Sequence, residues 1–452
     1  MQADHLHLDE FRNYAVLDWA VPAGISVIQG GNGSGKSSLL ESLFLLATTR
    51  SPRTAYDAEM VSTLAASDLG TPPFARVSAR VDRRDEPVSI EMLIAREDNR
   101  SIAVPPAHKR IKINNVPRRA VDLIGQINVV LFTPEDLELV TGAPSGRRRY
   151  MDMTIAQVDR RYIRALSQYN KLLTQRNALL RQMREQGRNP LSAGVREELE
   201  YWDEELSRAG AYIVLRRQVW ATRINRLAAE LHTHLVGAAS PGAVAAGAVP
   251  FKGLLGLAYS SAVAPEARGV LAPDFAAQWL ALQSGADAPL DVDAATAARL
   301  HSRIPHVEAL VTSLSEAMLG QLDKLRLDEV RRGMSLLGPH RDDLRLTIGD
   351  LPLSAFGSRG QQRTAVVALK LAEAALMRTE TGDSPILLLD DILSELDAQR
   401  RSFLLGALAG PFAPTDRPPQ VLITTTDWTP FDPGFLAGVS RFEVDEGELR
   451  AL

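Results

Sequence analysis

The chain contains no cysteine. Thiolates are therefore excluded as disulfide partners, as zinc ligands and as ligands of an iron–sulfur cluster. Any metal ion must be held by oxygen atoms. A chain without thiols suits a reducing compartment, so we expect this protein in the cytoplasm.

Long apolar runs are also missing. A helix that crosses a bilayer needs about 20 consecutive, mostly apolar residues, and the best apolar stretches here are soon interrupted by glycine, proline or charge. The N-terminal segment MQADHLHLDEFRNY carries acids and histidines where a signal peptide needs a basic start and an apolar core. We expect a soluble protein that is not exported.

An excess of positive charge is the third missing feature. The 452 residues carry a formal net charge of −4, and the isoelectric point is about 6.1. Proteins that bind nucleic acid through their overall charge are usually basic, so composition alone does not predict such binding. Any DNA site must be a local patch. The length is sufficient for roughly two or three domains.

Strand and helix patterns alternate along the two ends of the chain, which predicts an α/β fold. Short alternating or apolar segments up to about residue 132 are typical of strands, and RIKINNVPRR predicts a hairpin that turns at Asn114 and Asn115. Helices and strands return after about residue 300. We therefore predict one head domain, assembled from residues 1–140 and 330–452.

Residues 141–329 are different in character and predict an inserted helical lobe. A short, coiled-coil-like antiparallel hairpin is predicted by apolar residues at four-and-three spacings on either side of a break at residues 187–190. These residues are Tyr162, Leu166, Tyr169, Leu173 and Leu180, then Val195, Leu199, Trp202, Leu206, Ala209 and Ile213. The pattern leaves open whether the hairpin packs on a core or protrudes as an arm. An Ala/Gly/Pro-rich stretch at about 234–298 predicts a loop-bearing insertion.

One glycine-rich segment has the spacing of a P-loop. It lies between the apolar strand ISVIQ and the helix SSLLESLFLLA, and it consists of Gly30, Gly31, Asn32, Gly33, Ser34, Gly35, Lys36 and Ser37. In this context backbone N–H groups surround phosphate oxygens, the lysine contacts the β- and γ-phosphates, and the hydroxyl of Ser37 binds Mg²⁺. The segment predicts binding of ATP with Mg²⁺.

A second apolar strand, ILLL, ends in two adjacent carboxylates, Asp390 and Asp391. A buried strand also ends in an aspartate where that residue caps a helix, so alone the pair is ambiguous. Together with the P-loop it has the form of a Walker B motif. Asp390 is then predicted to hold Mg²⁺, and Asp391 to act as general base toward the attacking water.

A third motif lies upstream of these carboxylates. Ser358, Gly360 and Gln361 precede a long Ala/Leu-rich helix and resemble the S-x-G-Q signature of ABC ATPases. In that class the signature of one subunit faces the γ-phosphate bound by the other, so the resemblance implies an ATP-dependent homodimer. The alternative for so short a pattern is a simple helix cap.

Motifs distributed over nearly the whole chain resemble the RecF family of SMC-like, ABC-type ATPases. They are Phe11–Tyr14, Thr133–Val140, Gly142–Asp152, Gln175–Leu180 and Gly338–Leu344, in the order of that family. The resemblance implies a protein of recombinational repair and replication-fork maintenance that binds single-strand gaps or junctions. It also implies a weak ATPase, the partners RecO and RecR, and help in loading RecA.

The resemblance further implies that Arg12 and Asn32 contact the nucleotide. The chain departs from the pattern in its insertion, in Gly357 where many signatures have leucine, and in lacking an evident Q-loop glutamine. For the Gly338–Asp343 segment we expect a loop in which Arg341 pairs with a carboxylate.

DNA contacts are predicted from charge alone. One basic cluster lies on the predicted hairpin and one precedes the helical lobe; they comprise Lys109, Arg110, Lys112, Arg118 and Arg119, then Arg147, Arg148 and Arg149. Such side chains neutralise phosphates without reading sequence. The alternative is a solvated charged face.

Two other functions remain as alternatives: a transport or metabolic ABC ATPase, and a nuclease-associated SMC-like ATPase. The large insertion between the Walker motifs and the lack of a membrane segment disfavour the first. The second requires a phosphodiesterase partner or domain, and no acidic cluster with a nuclease pattern is evident in the sequence.

Overall fold

A computed structural model describes residues 1–65, 72–97, 107–239, 254–263, 304–409 and 418–452. Within these ranges, no helix combines the length and the apolar character that crossing a bilayer requires.

The chain forms two compact units. Unit 1 comprises Met1–Val140, Leu227–Leu254 and Gly357–Leu452, and unit 2 comprises Thr141–Arg226 and Leu255–Phe356. These limits correct the expected boundaries at two places. Residues 330–356 belong to unit 2 rather than to the head, because the strands they contain pair within unit 2. Residues 227–239, the end of the long helix that begins at Ala193, belong to unit 1 rather than to the inserted lobe.

Unit 1 contains an antiparallel sheet of six strands with the order β2-β1-β4-β5-β6-β7. The strands are β1 (Gln2–Phe11), β2 (Tyr14–Ala20), β4 (Phe74–Asp82), β5 (Val88–Arg96), β6 (Ala107–Ile113) and β7 (Val116–Arg118). The predicted hairpin is confirmed as β6 and β7. Asn114 and Asn115 both have positive φ, 50° and 63°, as a tight hairpin turn requires.

The second sheet of unit 1 is mostly parallel, with the order β15-β14-β3-β13-β12-β8. Its strands are β3 (Ile25–Gln29), β8 (Val129–Phe132), β12 (Ile386–Asp390), β13 (Val421–Thr425), β14 (Ser440–Asp445) and β15 (Glu448–Ala451). Parallel pairing of β12 with β13 and of β13 with β3 brings the carboxyl ends of these three strands to one edge. Ligands of α/β sheets bind at such an edge.

Helices accompany these sheets. They are α1 (Lys36–Thr48), α2 (Ala120–Leu123), α3 (Glu138–Thr141), α9 (Arg359–Thr381), α10 (Ala398–Ala409) and α11 (Pro433–Ala437). Every residue of α1 except Ser37 is buried, and its apolar side chains form part of the core of unit 1. Burial of that much apolar surface is the main force that fixes the loop preceding it.

Unit 2 is mainly helical. It contains α4 (Pro144–Val158), α5 (Arg160–Glu185), most of α6 (Ala193–Ala239), α7 (Ile304–Arg332) and α8 (Leu353–Phe356), with a small sheet of β9 (Leu255–Ser260), β10 (Asp343–Ile348) and β11 (Leu351–Pro352). Leu180 and Met183 of α5 pack against Val195 and Leu199 of α6 and against Val330 of α7. Near its turn, the helical hairpin of α5 and α6 therefore packs on a third helix, α7. This agrees with the alternative in which the hairpin packs on a core.

The expected loop-bearing insertion at 234–298 is wrong in two places. Residues 234–239 continue α6, and Leu255–Ser260 forms strand β9. The strand exists because each of its residues, from Leu255↔Ile348 to Ser260↔Asp343, pairs with β10, a distant partner that local composition does not show. The rest of the stretch, 240–253 and 264–298, lies outside the described residues.

The Gly338–Asp343 segment is a buried polar junction of unit 2. Asp342 is fully buried; its Oδ1 accepts from Ala262 N at 2.7 Å, and its Oδ2 accepts from the Tyr259 hydroxyl. Arg217 Nη1 donates to Pro339 O at 2.7 Å and lies 3.6 Å from Asp342 Oδ2. The expected pairing of Arg341 is wrong, because its guanidinium donates to Ser335 O at 3.0 Å rather than to a carboxylate.

A second buried arginine explains the Gln175–Leu180 motif. Arg176 is fully buried and donates to Asp203 at 2.8 Å, to Ser335 at 2.7 Å and to Glu329 at 2.6 Å. Its three partners come from α6, from α7 and from the loop after α7. The side chain thereby joins three segments that are distant in sequence.

We expect Asp342→Ala to lower the free energy of unfolding by about 3 kcal/mol, because it leaves the buried donors of Tyr259 and Ala262 without an acceptor and removes a carboxylate from beside the buried Arg217 guanidinium. Urea unfolding of the intact chain, followed by tryptophan fluorescence, measures this loss. Glu200→Ala, an exposed carboxylate on α6, serves as control and should change stability by less than about 0.5 kcal/mol. Equal effects of the two changes would show that the junction is not stabilising.

Candidate nucleotide site

The P-loop lies where β3 leaves the parallel sheet, and two of its glycines have no room for a larger side chain. Gly35 has a φ of 121°, and a Cβ atom there would lie 2.7 Å from Asn13 Nδ2 and 2.9 Å from the Tyr14 hydroxyl. A Cβ atom on Gly30 would lie 2.3 Å from Val444 O. Both positions therefore require glycine. The loop is held in shape by unit 1 alone.

The lysine of the loop is folded onto the loop itself. Lys36 Nζ donates to Gly30 O at 2.8 Å and to Gly31 O at 2.7 Å. Burial lowers the pKa of Lys36, and the carboxylates of Asp391 and Asp390 oppose that shift. Ser34 Oγ is buried and has no hydrogen-bond partner among the described residues. A phosphate group would provide acceptors for both side chains.

Asp390 accepts hydrogen bonds from the start of α1 and from the end of the neighbouring strand β13. Ser37 Oγ donates to its Oδ1 at 2.9 Å, and Thr424 Oγ1 donates to the same oxygen at 2.8 Å. Residues from opposite ends of the chain are thus brought together as the P-loop and Walker B hypothesis predicts. Hydroxyl and carboxylate oxygens are the donors that Mg²⁺ prefers, and the ion usually takes only one or two protein ligands beside substrate phosphates.

Asp391 adopts a strained backbone conformation. Its φ and ψ are 49° and 22°, in the left-handed region that residues other than glycine rarely occupy. Burial raises the pKa of its carboxyl, Lys36 acts in the opposite direction, and Asp390 adds to the rise. Strain and a shifted pKa at a strand end are typical of a residue with a chemical role.

Two residues that brace the P-loop were missed by the sequence analysis. Asn13 Nδ2 donates to Ser34 O at 2.8 Å, and the Tyr14 hydroxyl donates to Gly35 O at 3.1 Å. Both belong to the Phe11–Tyr14 motif, in which only Arg12 had been given a role. The family motif indicated that Asn13 and Tyr14 are functionally important. Their contact with the P-loop could not be predicted, because it depends on how the antiparallel sheet packs on the parallel sheet.

Arg12 is engaged within the chain. Its guanidinium donates to Glu41 through Nε at 3.0 Å and Nη2 at 2.7 Å, and to Glu59 O through Nη1 at 2.8 Å. Glu41 is buried on α1. A nucleotide contact by Arg12 stays a prediction. Asn32 lies exposed on the P-loop, and its contact also stays a prediction.

The signature residues form a capping box at the start of α9. Ser358 N donates to Gln361 Oε1 at 2.8 Å, and Gln361 N donates to Ser358 Oγ at 3.3 Å. Gly360, at the second position of the helix, is in the first turn. The helix cap, which was the alternative to an ABC signature, is therefore present. In this cap the Ser358 hydroxyl acts as an acceptor, so its proton remains available to an anion in front of the helix.

The hairpin cluster is divided by the alternation of β6. Arg110 and Lys112 lie on one face of the strand and Lys109 on the other. Lys109 Nζ binds Asp57 at 2.5 Å, and Lys112 Nζ binds Glu91 at 2.7 Å. Arg118 is exposed on β7, and Arg119 lies 3.5 Å from Asp122.

The second basic cluster is partly engaged in unit 2. Arg147 forms a two-point ion pair with Asp343, at 2.7 Å and 3.0 Å, and donates to Gly142 O. Arg148 Nη1 donates to Asp342 O at 2.8 Å, and Arg149 is exposed on α4. Arg147 is thus less suited to a phosphate contact than the exposed arginines, because that contact would cost a structural ion pair.

Comparison with known proteins identifies the family. Residues 3–431 match the model described as RecF/RecN/SMC N terminal domain. The chain is 42% identical over 451 residues to the DNA replication and repair protein RecF of Roseiflexus castenholzii, covering 99% of each chain. It is 41% identical over 452 residues to the RecF of Chloroflexus aurantiacus, covering 100% of each. The chain belongs to the RecF family.

A solved structure supports the fold of this RecF-family chain. The protein described as "Structure of the recombination mediator protein RecF-ATP in RecFOR pathway" is 26% identical, with a TM-score of 0.74, and the match covers 100% of this chain and 97% of that one. The predicted ABC-type ATPase fold with an inserted helical lobe is thereby confirmed.

We expect Lys36→Ala to lower the affinity for ATP at least about 100-fold, because it removes the cation nearest to the predicted β- and γ-phosphates. Isothermal titration calorimetry measures the affinity. Lys324→Ala on α7 is the control and should leave the affinity unchanged. An unchanged affinity in Lys36→Ala would place the nucleotide elsewhere.

Proposed function

We propose that this protein is an ATP-dependent DNA-binding protein of recombinational repair and replication-fork maintenance. The observation that carries the proposal is the 2.9 Å contact of Ser37 with Asp390, which joins P-loop and Walker B in a chain of the RecF family. The action is proposed to take place in the cytoplasm.

ATP is the proposed ligand of the P-loop, with Lys36 at the β- and γ-phosphates and the free N–H groups at the start of α1 around the chain of phosphates. Mg²⁺, which neutralises phosphate charge, is proposed to be held by Ser37 and Asp390. Asp391 is proposed to polarise the attacking water. The 26% identical RecF protein with ATP in its description supports this ligand.

ATP is proposed to act mainly as a dimerisation switch. Ser358, Gly360 and Gln361 present the N-terminus of a 23-residue helix, and its dipole and free N–H groups suit the γ-phosphate bound by a second copy. Hydrolysis would remove those contacts and let the copies separate. A slow ATPase would then set the lifetime of the DNA-bound state.

DNA bearing a single-strand gap or a junction is the proposed substrate, bound without sequence preference. Arg110, Lys112, Arg118, Arg119 and Arg149 are exposed, and of these Lys112, Arg119 and Arg149 also have a partner within the chain. Lys109, Arg147 and Arg148 are bound to groups of the chain. Phosphate contacts by a few arginines give binding that weakens with salt. RecO and RecR are proposed partners in aiding RecA, because the solved relative is described as a recombination mediator of the RecFOR pathway.

A transport role finds less support, because residues 3–431 match the RecF/RecN/SMC N terminal domain. A nuclease-associated role would need metal-binding groups of its own or of a partner, and no cluster of three or more candidate ligands occurs among the described residues.

Two variants test the dimer in opposite directions. We expect Asp391→Asn to accumulate an ATP-bound dimer because hydrolysis is slowed, and Ser358→Arg to bind ATP with ordinary affinity yet stay monomeric because a bulky cation blocks the signature. Sedimentation velocity with ATP and with ADP distinguishes these states. Ser354→Arg, just before the signature helix, is a matched control for added charge. If both variants sediment like the wild type, the switch is refuted.

DNA binding is tested with gapped and blunt duplexes over a salt series. We expect ATP to strengthen binding of the wild type to the gapped duplex about tenfold or more, and not to do so in Lys36→Arg, because only the ATP-bound dimer presents both DNA surfaces. Fluorescence anisotropy measures the affinities. Indifference to DNA in every state would leave a non-DNA ABC ATPase as the leading alternative.

A further inference from the structure

One buried hydroxyl contacts both residues of the Walker B pair. Thr424 is fully buried and lies directly opposite Asp390 in the β12–β13 register. Its Oγ1 donates to Asp390 Oδ1 at 2.8 Å and accepts from Asp391 N at 3.1 Å. A single side chain on the neighbouring strand therefore touches the proposed metal ligand and the proposed base at the same time.

The contact to Asp391 falls on the strained residue of the site. A left-handed conformation at an aspartate persists only where the surroundings fix it, and the N–H of Asp391 is bound by this hydroxyl. The short 3₁₀ segment Ile392–Glu395 follows at once. The backbone conformation of Asp391 determines the direction in which its carboxyl group points. Because the backbone N–H is bound to Thr424, this direction depends on Thr424.

The same hydroxyl has a second acceptor within reach. Thr424 Oγ1 lies 3.3 Å from Leu389 O, farther than from Asp390 Oδ1. A hydroxyl has one proton and two lone pairs. The Thr424 hydroxyl can therefore rotate so that it donates to Leu389 O instead of Asp390 Oδ1, while its oxygen continues to accept from Asp391 N. Asp390 Oδ1 then keeps only the hydrogen bond from Ser37 and has a lone pair available for a cation.

We propose that Thr424 is a positioning residue for ATP hydrolysis, which holds the Asp391 carboxylate in its working direction while leaving Asp390 free to bind Mg²⁺. The proposal rests on the proposed ATPase function. Thr424 acts through Asp391 and does not itself touch the nucleotide. Removal of the hydroxyl should consequently affect the chemical step and leave ATP binding intact.

The test compares Thr424→Val, which keeps the shape and removes the hydroxyl, with Thr424→Ser, which keeps the hydroxyl. We expect Thr424→Val to lower kcat about tenfold, in line with the loss of one buried hydrogen bond, and to leave the Kd of ATP within about twofold of the wild type. Thr424→Ser should keep kcat within about threefold. Equal loss of affinity and kcat in Thr424→Val, or an equally inactive Thr424→Ser, would overturn the proposal.

A matched control addresses damage to the fold. Thr48 is similarly buried at the far end of α1, and its hydroxyl donates to Phe44 O at 2.8 Å. Thr48→Val should lower the melting temperature as Thr424→Val does, yet leave kcat unchanged. If Thr48→Val lowers kcat to the same extent, the effect of Thr424→Val is one of stability and the positioning role is wrong.

A double-mutant cycle separates positioning from an independent effect. In an Asp391→Asn background the carboxylate is already lost, so adding Thr424→Val should lower single-turnover hydrolysis by less than about twofold. A further tenfold loss would show that Thr424 does not act through Asp391. Should the wild type hydrolyse no ATP at all, the proposed function fails; should only Asp391→Asn lose hydrolysis, the proposed function stands and the role of Thr424 is rejected.

Discussion

The site depends on the parallel pairing of three short strands, β3, β12 and β13. Each is five residues long, and their residues are almost entirely buried, so the register is fixed by core packing rather than by local sequence. A shift by one residue would move Asp390 away from both Ser37 and Thr424, because successive side chains point to opposite faces. The packing of apolar side chains such as Leu388 and Ile423 therefore fixes the positions of the polar side chains in the site.

Several polar side chains around that edge are hydrogen-bonded within the chain. Lys36 is bound by loop carbonyls, Asp390 by two hydroxyls, and Arg12 by Glu41. The proposed binding of ATP and Mg²⁺ would exchange some of these internal partners for external ones, which lowers the net gain in free energy from each contact.

Much of this arrangement follows from sequence, and the remainder has identifiable physical causes. The P-loop, the Walker B strand, the signature helix and the β6–β7 hairpin are local patterns, and the structure has them where the patterns predict. Successive side chains of β6 point to opposite faces, so the separation of Lys109 from Arg110 could also be predicted from the sequence. A cluster defined only by charge does not take this alternation into account. Strand β9 could not be predicted from the sequence, because its formation depends on pairing with β10, more than eighty residues away in the chain.

Charge placement was the least predictable property, because an arginine in a sequence does not show whether its partner is a carboxylate or a ligand. Arg147, Arg176 and Arg217 all bind carboxylates within unit 2, and removal of either member of a buried pair leaves the other uncompensated. Most of the unit's family motifs are explained by these pairs rather than by DNA. The proposed DNA surface would therefore draw on exposed basic side chains outside these buried pairs, because their loss leaves no buried charge uncompensated.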